Sequence, residues 1–465
     1  MPYDIGQLNP LDTSSNRYVQ LPRDQSLLTA PTDIDTRYLG VTWSHQFNDK
    51  CSVRQQFAHD YNRYGLPQWL GLDYANFPDV FGQSGSTWTV ARGLYPLAAQ
   101  QTVDASILDL TGHFETAGVR HTLLVGADYY RMSSDGRSGA SSTFVVTDAF
   151  KPTPVTGLTL DPTLSSDSRQ KWQNFSVYAQ DQLHLPGRVE VLAGLRYQKV
   201  TETSRFQAGE GNPFVVGDPQ DDHAVTPRLG VLWLAREDLS FYGNYAENFG
   251  ANTGRNVSGA PLDPETAKQY EVGMKSQFMD GTLTSTLALF NLTKQNVATA
   301  DPANPGFNLA TGEVRSRGVE FDIQGEVAKG WNTIATYAYT DIVITKSNNG
   351  DQGLGMMNVP RKMGSLSTTY KFQQPVMRRW KIGGGVYWRD ATPDATNTLM
   401  TPARAVINAM AAYAFEAGRH KATFQLNVDN LFDKRYVIDA QQFGNAELYT
   451  NGSPRTVTAV VRLEL

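Results

Sequence analysis

Cysteine is nearly absent: the single Cys51 in 465 residues excludes an intrachain disulfide and a cysteine-based zinc site, and leaves an incidental strand residue. Long apolar runs are missing too. No stretch approaches the roughly 18 consecutive apolar residues of a membrane-crossing helix, and mean hydropathy is negative. That excludes helical spans alone, because a barrel strand needs apolar residues on one face only. Neither sign of charge dominates. Lys and Arg number 41 against 46 Asp and Glu, a net −5, and the basic residues are scattered, so no nucleic-acid-binding stripe exists. Met1-Pro2-Tyr3-Asp4 carries no basic and apolar export signal. Catalytic patterns are lacking: there is no His-Glu-x-x-His, no Gly-x-Ser-x-Gly and no Walker loop. The seven His are dispersed, with His113 and His121 on separate strands. Asp218, Asp221 and Asp222 with Gly217 and Asn212 miss the EF-hand spacing and read as a solvated loop. The expectation is a non-enzyme with no catalytic residues, no metal ligands and no cofactor.

What is present is order. The chain is 40% hydrophobic and 11% aromatic, too rich for wholesale disorder. Its dominant period is two, the signature of strands. Val319, Phe321, Ile323 and Val327 share one face while Glu320, Asp322, Gln324 and Glu326 share the other. Ala422, Phe424, Leu426 and Val428 alternate with Thr423, Gln425, Asn427 and Asp429. Further stripes run over 189–197 and 270–278. About 17 such strands are readable, many long enough to cross a bilayer at a tilt.

The connections say which solvent each face meets. Tight turns fall near Asn48-Asp49, Thr116-Ala117, Pro186-Gly187, Arg236-Glu237, Asp280-Gly281, Ala328-Gly330, Gln373-Arg378 and Ala417-Gly418. Long polar loops alternate with them, at 61–87, 132–168, 201–222, 249–267, 297–310, 345–358, 391–400 and 431–453. A soluble sandwich has no reason to keep that rhythm; an up-and-down transmembrane barrel does, with short turns on the periplasmic side. Tyr129, Tyr130, Trp172, Tyr242, Tyr245, Tyr337, Tyr339, Tyr387 and Trp388 sit toward strand ends, where interfacial girdles are expected. Arg315, Arg317 and Glu320 are expected to form a charge ladder on the lumen wall. The fold class is therefore all-β: an antiparallel up-and-down transmembrane β-barrel with long outer loops. An odd strand count implies an incomplete wall, since a complete one starts and ends on the periplasmic side.

Several ordered segments resemble a known family. Leu426-Asn-Val-Asp-Asn-Leu-Phe-Asp-Lys-Arg-Tyr436, followed by Gly452-Ser-Pro-Arg-Thr456, is similar to the C-terminal signature of TonB-dependent receptors, with Asn427, Asn430, Leu431, Phe432, Asp433 and Tyr436 carrying the likeness. Val177-Tyr-Ala-Gln-Asp-Gln182, Thr226-Pro-Arg-Leu-Gly230, Lys268-Gln-Tyr-Glu-Val-Gly273 and Phe290-Asn-Leu-Thr-Lys294 resemble siderophore receptors of the ferrichrome (hydroxamate) type, in the right order. So do Gly312-Glu-Val-Arg-Ser-Arg-Gly-Val-Glu320, His121-Thr-Leu-Leu-Val-Gly-Ala-Asp128 and 47–56. Each also has a structural reading; the Asn and Asp of Asn430-Leu-Phe-Asp433 suit local turn bonding.

The resemblance implies an outer-membrane receptor and transporter for ferric siderophores, with the chelate as ligand, outer-membrane lipid around it and the TonB-ExbB-ExbD complex as energy source. It implies about 17 strands of roughly 22, residues 1–36 as an outer loop leading into the barrel, and 37–465 as the barrel wall. The family's plug domain and TonB box have no counterpart here, so an in-frame extension ahead of Met1 is expected. The chain ends in Leu465 where the family usually ends in Phe. In the resembling receptors, aromatics of the loop corresponding to 61–87 line the siderophore pocket. Tyr64, Trp69, Tyr74, Phe77 and Phe81 are the candidates here, with loop packing as the alternative. The alternative functions are a passive porin-like channel and a truncated, inactive receptor fragment.

Overall fold

The structure, a computed structural model, describes residues 8–12, 17–18, 33–66, 70–72, 81–84, 87–94, 97–148, 150–151, 159–252, 255–304, 307–443 and 446–464. Seventeen long strands form the wall. They are β1 (Asp33–Asn48), β2 (Cys51–Leu66), β3 (Leu97–Thr116), β4 (Val119–Ser141), β5 (Leu160–Leu185) and β6 (Val189–Ala208). The middle of the wall is β7 (Gln220–Arg236), β8 (Leu239–Gly250), β9 (Glu265–Phe278), β10 (Leu283–Ala300), β11 (Asn308–Ala328) and β12 (Trp331–Lys346). The last part is β13 (Lys362–Lys371), β14 (Trp380–Arg389), β15 (Arg404–Ala417), β16 (His420–Asp429) and β17 (Thr456–Glu464). The two-residue Val215–Val216 adds to β6.

Each strand pairs antiparallel with the next in sequence, the topology that alternating short and long connections dictate. The strand order returns on itself and sets β1 beside β17. Both are exposed along nearly their whole length, unlike the alternating strands between them.

The expected tight turns are present. Ala117 and Gly118 take φ of 52° and 80°, the left-handed pair that a two-residue hairpin needs to match strand twist. Gly187, Gly281, Gly330 and Gly418 take positive φ in four more. All these turns lie at one end of the wall.

Period two then sorts the side chains. Leu108, Val125, Phe175, Val177, Leu195, Val231, Trp233, Val272, Leu289 and Phe424 point outward and stay exposed, as the lipid-facing surface of a barrel must. Charged and polar residues occupy the inward set. Two expectations need correction. Arg315 and Arg317 share the face of Val319 and Phe321, with Arg317 paired to Asp341 at 3.1 Å, whereas Glu320 lies on the opposite face. The three cannot form one ladder, because odd and even positions of an unbroken strand face opposite ways. Similarly, Tyr130, Trp172, Tyr242 and Tyr387 fall on the inward set, leaving Tyr129, Tyr245, Tyr337, Tyr339 and Trp388 for the outer girdle.

Candidate ligand-binding surface of the lumen and outer mouth

Two brackets of the same design stand on the inner wall. In the first, the Tyr178 ring covers Gly126 of the neighbouring strand, and its hydroxyl donates to Asp109 at 2.6 Å. Asp109, 6% exposed, also pairs with Arg54 at 2.8 Å. The Arg196 guanidinium lies 5.4 Å from the Tyr178 ring centroid and is held by Asp128 at 2.8 Å and by the fully buried Ser176 at 2.7 Å. In the second, Tyr242 covers Gly273, donates to Glu271 at 2.8 Å, and carries Lys275 at 5.3 Å over its ring. Aromatic, carboxylate and cation thus tie β2 to β6 together in the first bracket and the consecutive β8 and β9 in the second.

Beside the first bracket the wall opens into a cleft of about 400 Å³, a size usual for small-ligand sites. Tyr178, Gln180, Arg196, Gln198, Thr226 and Arg228 present inward side chains to it.

At the outer mouth the loops are clasped to one another. Arg255 donates to the Asp218 carbonyl at 3.1 Å, and the Asn308 amide donates to the Arg255 carbonyl at 2.9 Å. The Ala300 amide reaches Asn349 at 2.7 Å, and Asn397 exchanges two 2.9 Å bonds with the Gly355 backbone. Arg389 and Arg404, directly opposed on β14 and β15, donate to the carbonyls of Ile438 and Val437. The short strand Leu8–Asp12 pairs with Ala446–Asn451 of the last loop.

The C-terminal signature residues form the hinge of that last loop. Asn430 is 3% exposed and adopts φ of 49°. Its amide donates to Asn408 at 2.9 Å; its side chain donates to the carbonyls of Lys434 and Ser453 and accepts from the Lys434 amide. Asp433 accepts from the Arg455 amide at 3.0 Å. Tyr436 accepts from the Gly452 amide at 2.7 Å, and Gly452 sits where any Cβ would enter the Tyr436 ring. Asn427 accepts from Gln425 on the wall, Leu431 donates to the Ile407 carbonyl, and Phe432 stays 72% exposed.

Of the aromatic candidates, Tyr64 stands exposed at the outer end of β2 and edges a charged cleft of about 460 Å³ with Arg63, Asp135, Arg137, Asp167 and Arg169. Phe81 opens the short strand Phe81–Ser84, paired with Thr87–Leu94. Trp69, Tyr74 and Phe77 lie outside the described residues. Among the described residues, Tyr64 is the one of the five that borders a cleft. The lumen brackets were not anticipated as a site; their trace in the sequence is that Arg54, Gly126, Asp128, Tyr178, Glu271 and Gly273 belong to four of the resemblance-bearing segments.

Residues 1–431 match the family model "TonB dependent receptor-like, beta-barrel". The chain belongs to this family. It is 32% identical over 439 residues to the metal-pseudopaline receptor CntO of Pseudomonas aeruginosa, covering 93% of this chain and 60% of that protein. It is 29% identical over 417 residues to the ferrichrome outer membrane transporter/phage receptor of Escherichia coli, covering 86% and 55%. In fold it is similar to the siderophore receptor PiuA from Acinetobacter baumannii, with a TM-score of 0.79 at 24% identity over 93% of this chain and 65% of that one. The chain thus spans just over half the length of the curated relatives it matches. Membership of the family places this TonB-dependent receptor barrel in the outer membrane.

Proposed function

We propose that this chain forms the wall and outer mouth of a receptor that takes up ferric siderophores, of hydroxamate type, with energy supplied through the TonB-ExbB-ExbD complex. Residues 1–36 act as an outer loop and the remainder as wall. The observation that carries the reading is the inward gathering of charge and aromatic rings around an open cleft, beneath a crown of clasped loops. Such a surface binds and orients a polar cargo without covalent chemistry, and the iron stays on its chelator. The named relatives, receptors for metal-pseudopaline, ferrichrome and ferrioxamine B, support a metal chelate as that cargo. Tyr64, Trp69, Tyr74, Phe77 and Phe81 are proposed as its first contacts at the mouth.

The test is direct binding of ferric hydroxamate, catecholate and citrate-type chelates to the purified chain in detergent. Saturable binding of a hydroxamate chelate in preference to the others is expected. Binding by none, together with leakage of small sugars through the reconstituted chain, would replace the receptor with a passive channel.

A further inference from the structure

The outside of the wall is not uniform around the end that carries the short turns. Trp331 of β12, Tyr370 of β13, Trp380 of β14 and Tyr413 of β15 share the outward face of Leu366, Ile382 and Ile407, close to those turns. Trp331 directly opposes Tyr370, and Trp380 directly opposes Tyr413. The Trp380 and Tyr413 rings lie 4.9 Å apart, Phe415 stacks 6.4 Å from Tyr413, and Phe372 meets Tyr370 edge-on at 5.2 Å. The Trp331 indole N–H donates to Thr368 at 2.6 Å. The Trp380 indole N–H and the Tyr370 and Tyr413 hydroxyls have no partner among the described residues. Rings with an apolar body and a free polar tip belong at the level of lipid headgroups.

The turns beneath these rings carry one sign of charge. Lys329 joins β11 to β12, Arg378 and Arg379 lie between β13 and β14, and Arg419 between β15 and β16; all four are exposed, and these three turns hold no acidic residue. None of the four cations has a carboxylate partner among the described residues. The five short turns from β1 to β10 have the opposite balance, with Asp49, Glu237, Asp238 and Asp280 against Lys50 and Arg188. Backbone bonds fix the longest of the basic turns: the Trp380 amide donates to the Met377 carbonyl and the Ala414 amide to the Arg379 carbonyl, both at 2.8 Å. Arg378 and Arg379 are thereby held beside the Trp380 and Tyr413 pair. Girdle rings alone anchor in any bilayer, and cations alone suit any anion. Free ring donors facing lipid above a rim of unpaired cations match a phosphate that carries acyl chains.

We propose that this sector is a seat for an anionic phospholipid of the periplasmic leaflet. Arg378, Arg379 and Arg419 hold its phosphate headgroup together with the Trp380 indole, and its acyl chains lie along the outward face of β13 to β15. The seat is on the outside of the wall and is independent of what passes through the lumen.

Phosphatidylglycerol is the probe, with phosphatidylcholine as the neutral reference. The purified chain is equilibrated in detergent with equal amounts of the two, and native mass spectrometry counts the lipid retained per chain. Preferential retention of phosphatidylglycerol is expected. Arg378→Gln combined with Arg379→Gln should weaken it about tenfold or more, since each cation near an anionic headgroup contributes about fivefold. The charge-keeping pair Arg378→Lys and Arg379→Lys should retain it, Trp380→Leu should weaken it less, and Arg188→Gln, in a turn outside this sector, should leave it unchanged. Unchanged thermal unfolding across the variants establishes that the wall is intact. Equal retention of the two lipids, or a preference that survives Arg378→Gln with Arg379→Gln, overturns the seat, whatever the chelate panel shows. Displacement of the lipid by soluble glycerol phosphate at matched concentration overturns it too, since the site would then take a free phosphate without acyl chains.

Discussion

The ring of Tyr178 lies over Gly126, its direct partner across the β4–β5 pairing, so closely that a Cβ on Gly126 would stand 2.5 Å from the ring. The same distance separates a Cβ on Gly273 from the ring of Tyr242, its partner across β8 and β9. Neither ring can tilt away freely, because each hydroxyl is bound to a carboxylate. Gly126→Ala and Gly273→Ala are therefore expected to destabilise the wall by about 1–3 kcal/mol each, the usual cost of overpacking. Gly65→Ala, with open space around it, should be nearly silent. Thermal unfolding in detergent measures all three, and the loss in the double variant Gly126→Ala with Tyr178→Ala should be smaller than the sum of the two single losses. An unaffected melting point in Gly126→Ala would show that the ring is not held.

Asp109 joins Tyr178 and Arg54 across β2, β3 and β5, and it is almost fully buried. Tyr178→Phe removes one donor and leaves the carboxylate with Arg54 alone, a loss of about 1–3 kcal/mol for a hydrogen bond to a charged, buried group. Asp109→Asn weakens both partners at once. A double-mutant cycle on these two residues is expected to be markedly non-additive; additive losses would mean that the contact carries no coupling.

The wall was legible because its rules are local. Alternation from Val319 to Ile323 names the outward face, and Ala117-Gly118 or Asp280-Gly281 announces a hairpin by its chemistry. Arg317 and Glu320 stand three positions apart on an unbroken stretch of strand, so the same alternation that names the outward face puts them on opposite sides and excludes their common ladder. The lumen site was not legible for a different reason. Tyr178 and Asp109 are 69 positions apart, and Arg196 and Asp128 are 68 apart; only the register of β3 to β6 brings them together. Asn430 shows both cases at once. Its bonds with Lys434 are the local turn that the segment suggests, but its bond to Ser453 spans 23 positions and depends on the whole last loop.

That long-range bond makes Asn430 the peg at both ends of the loop. Asn430→Gly keeps the positive φ without strain but deletes three side-chain bonds; Asn430→Ala deletes them and adds backbone strain. Both variants should speed proteolysis within 431–455, Ala more than Gly, with a loss of about 0.5–1.5 kcal/mol for each hydrogen bond deleted. Protection equal to wild type in Asn430→Gly would mean that Asp433 and Tyr436 hold the loop unaided.

Asp301, in the loop between β10 and β11, offers a pH test outside the wall. Its carboxylate accepts from the Asn304 side chain and the Ala303 amide, both at 2.9 Å, and these bonds hold its pKa below the ordinary carboxylate value. A depressed pKa stabilises the folded loop wherever the carboxylate is ionised in both states, above about pH 4. The contribution fades as pH falls through the folded value and is absent below it. Hydrogen exchange of 299–308, corrected for the intrinsic rate, should be constant from about pH 7 to 5 and rise below about pH 4. Asp301→Asn keeps an acceptor but cannot titrate, so its profile should be flat across that range. A rise of the same size in Asp301→Asn would assign the acid sensitivity of this loop to another group.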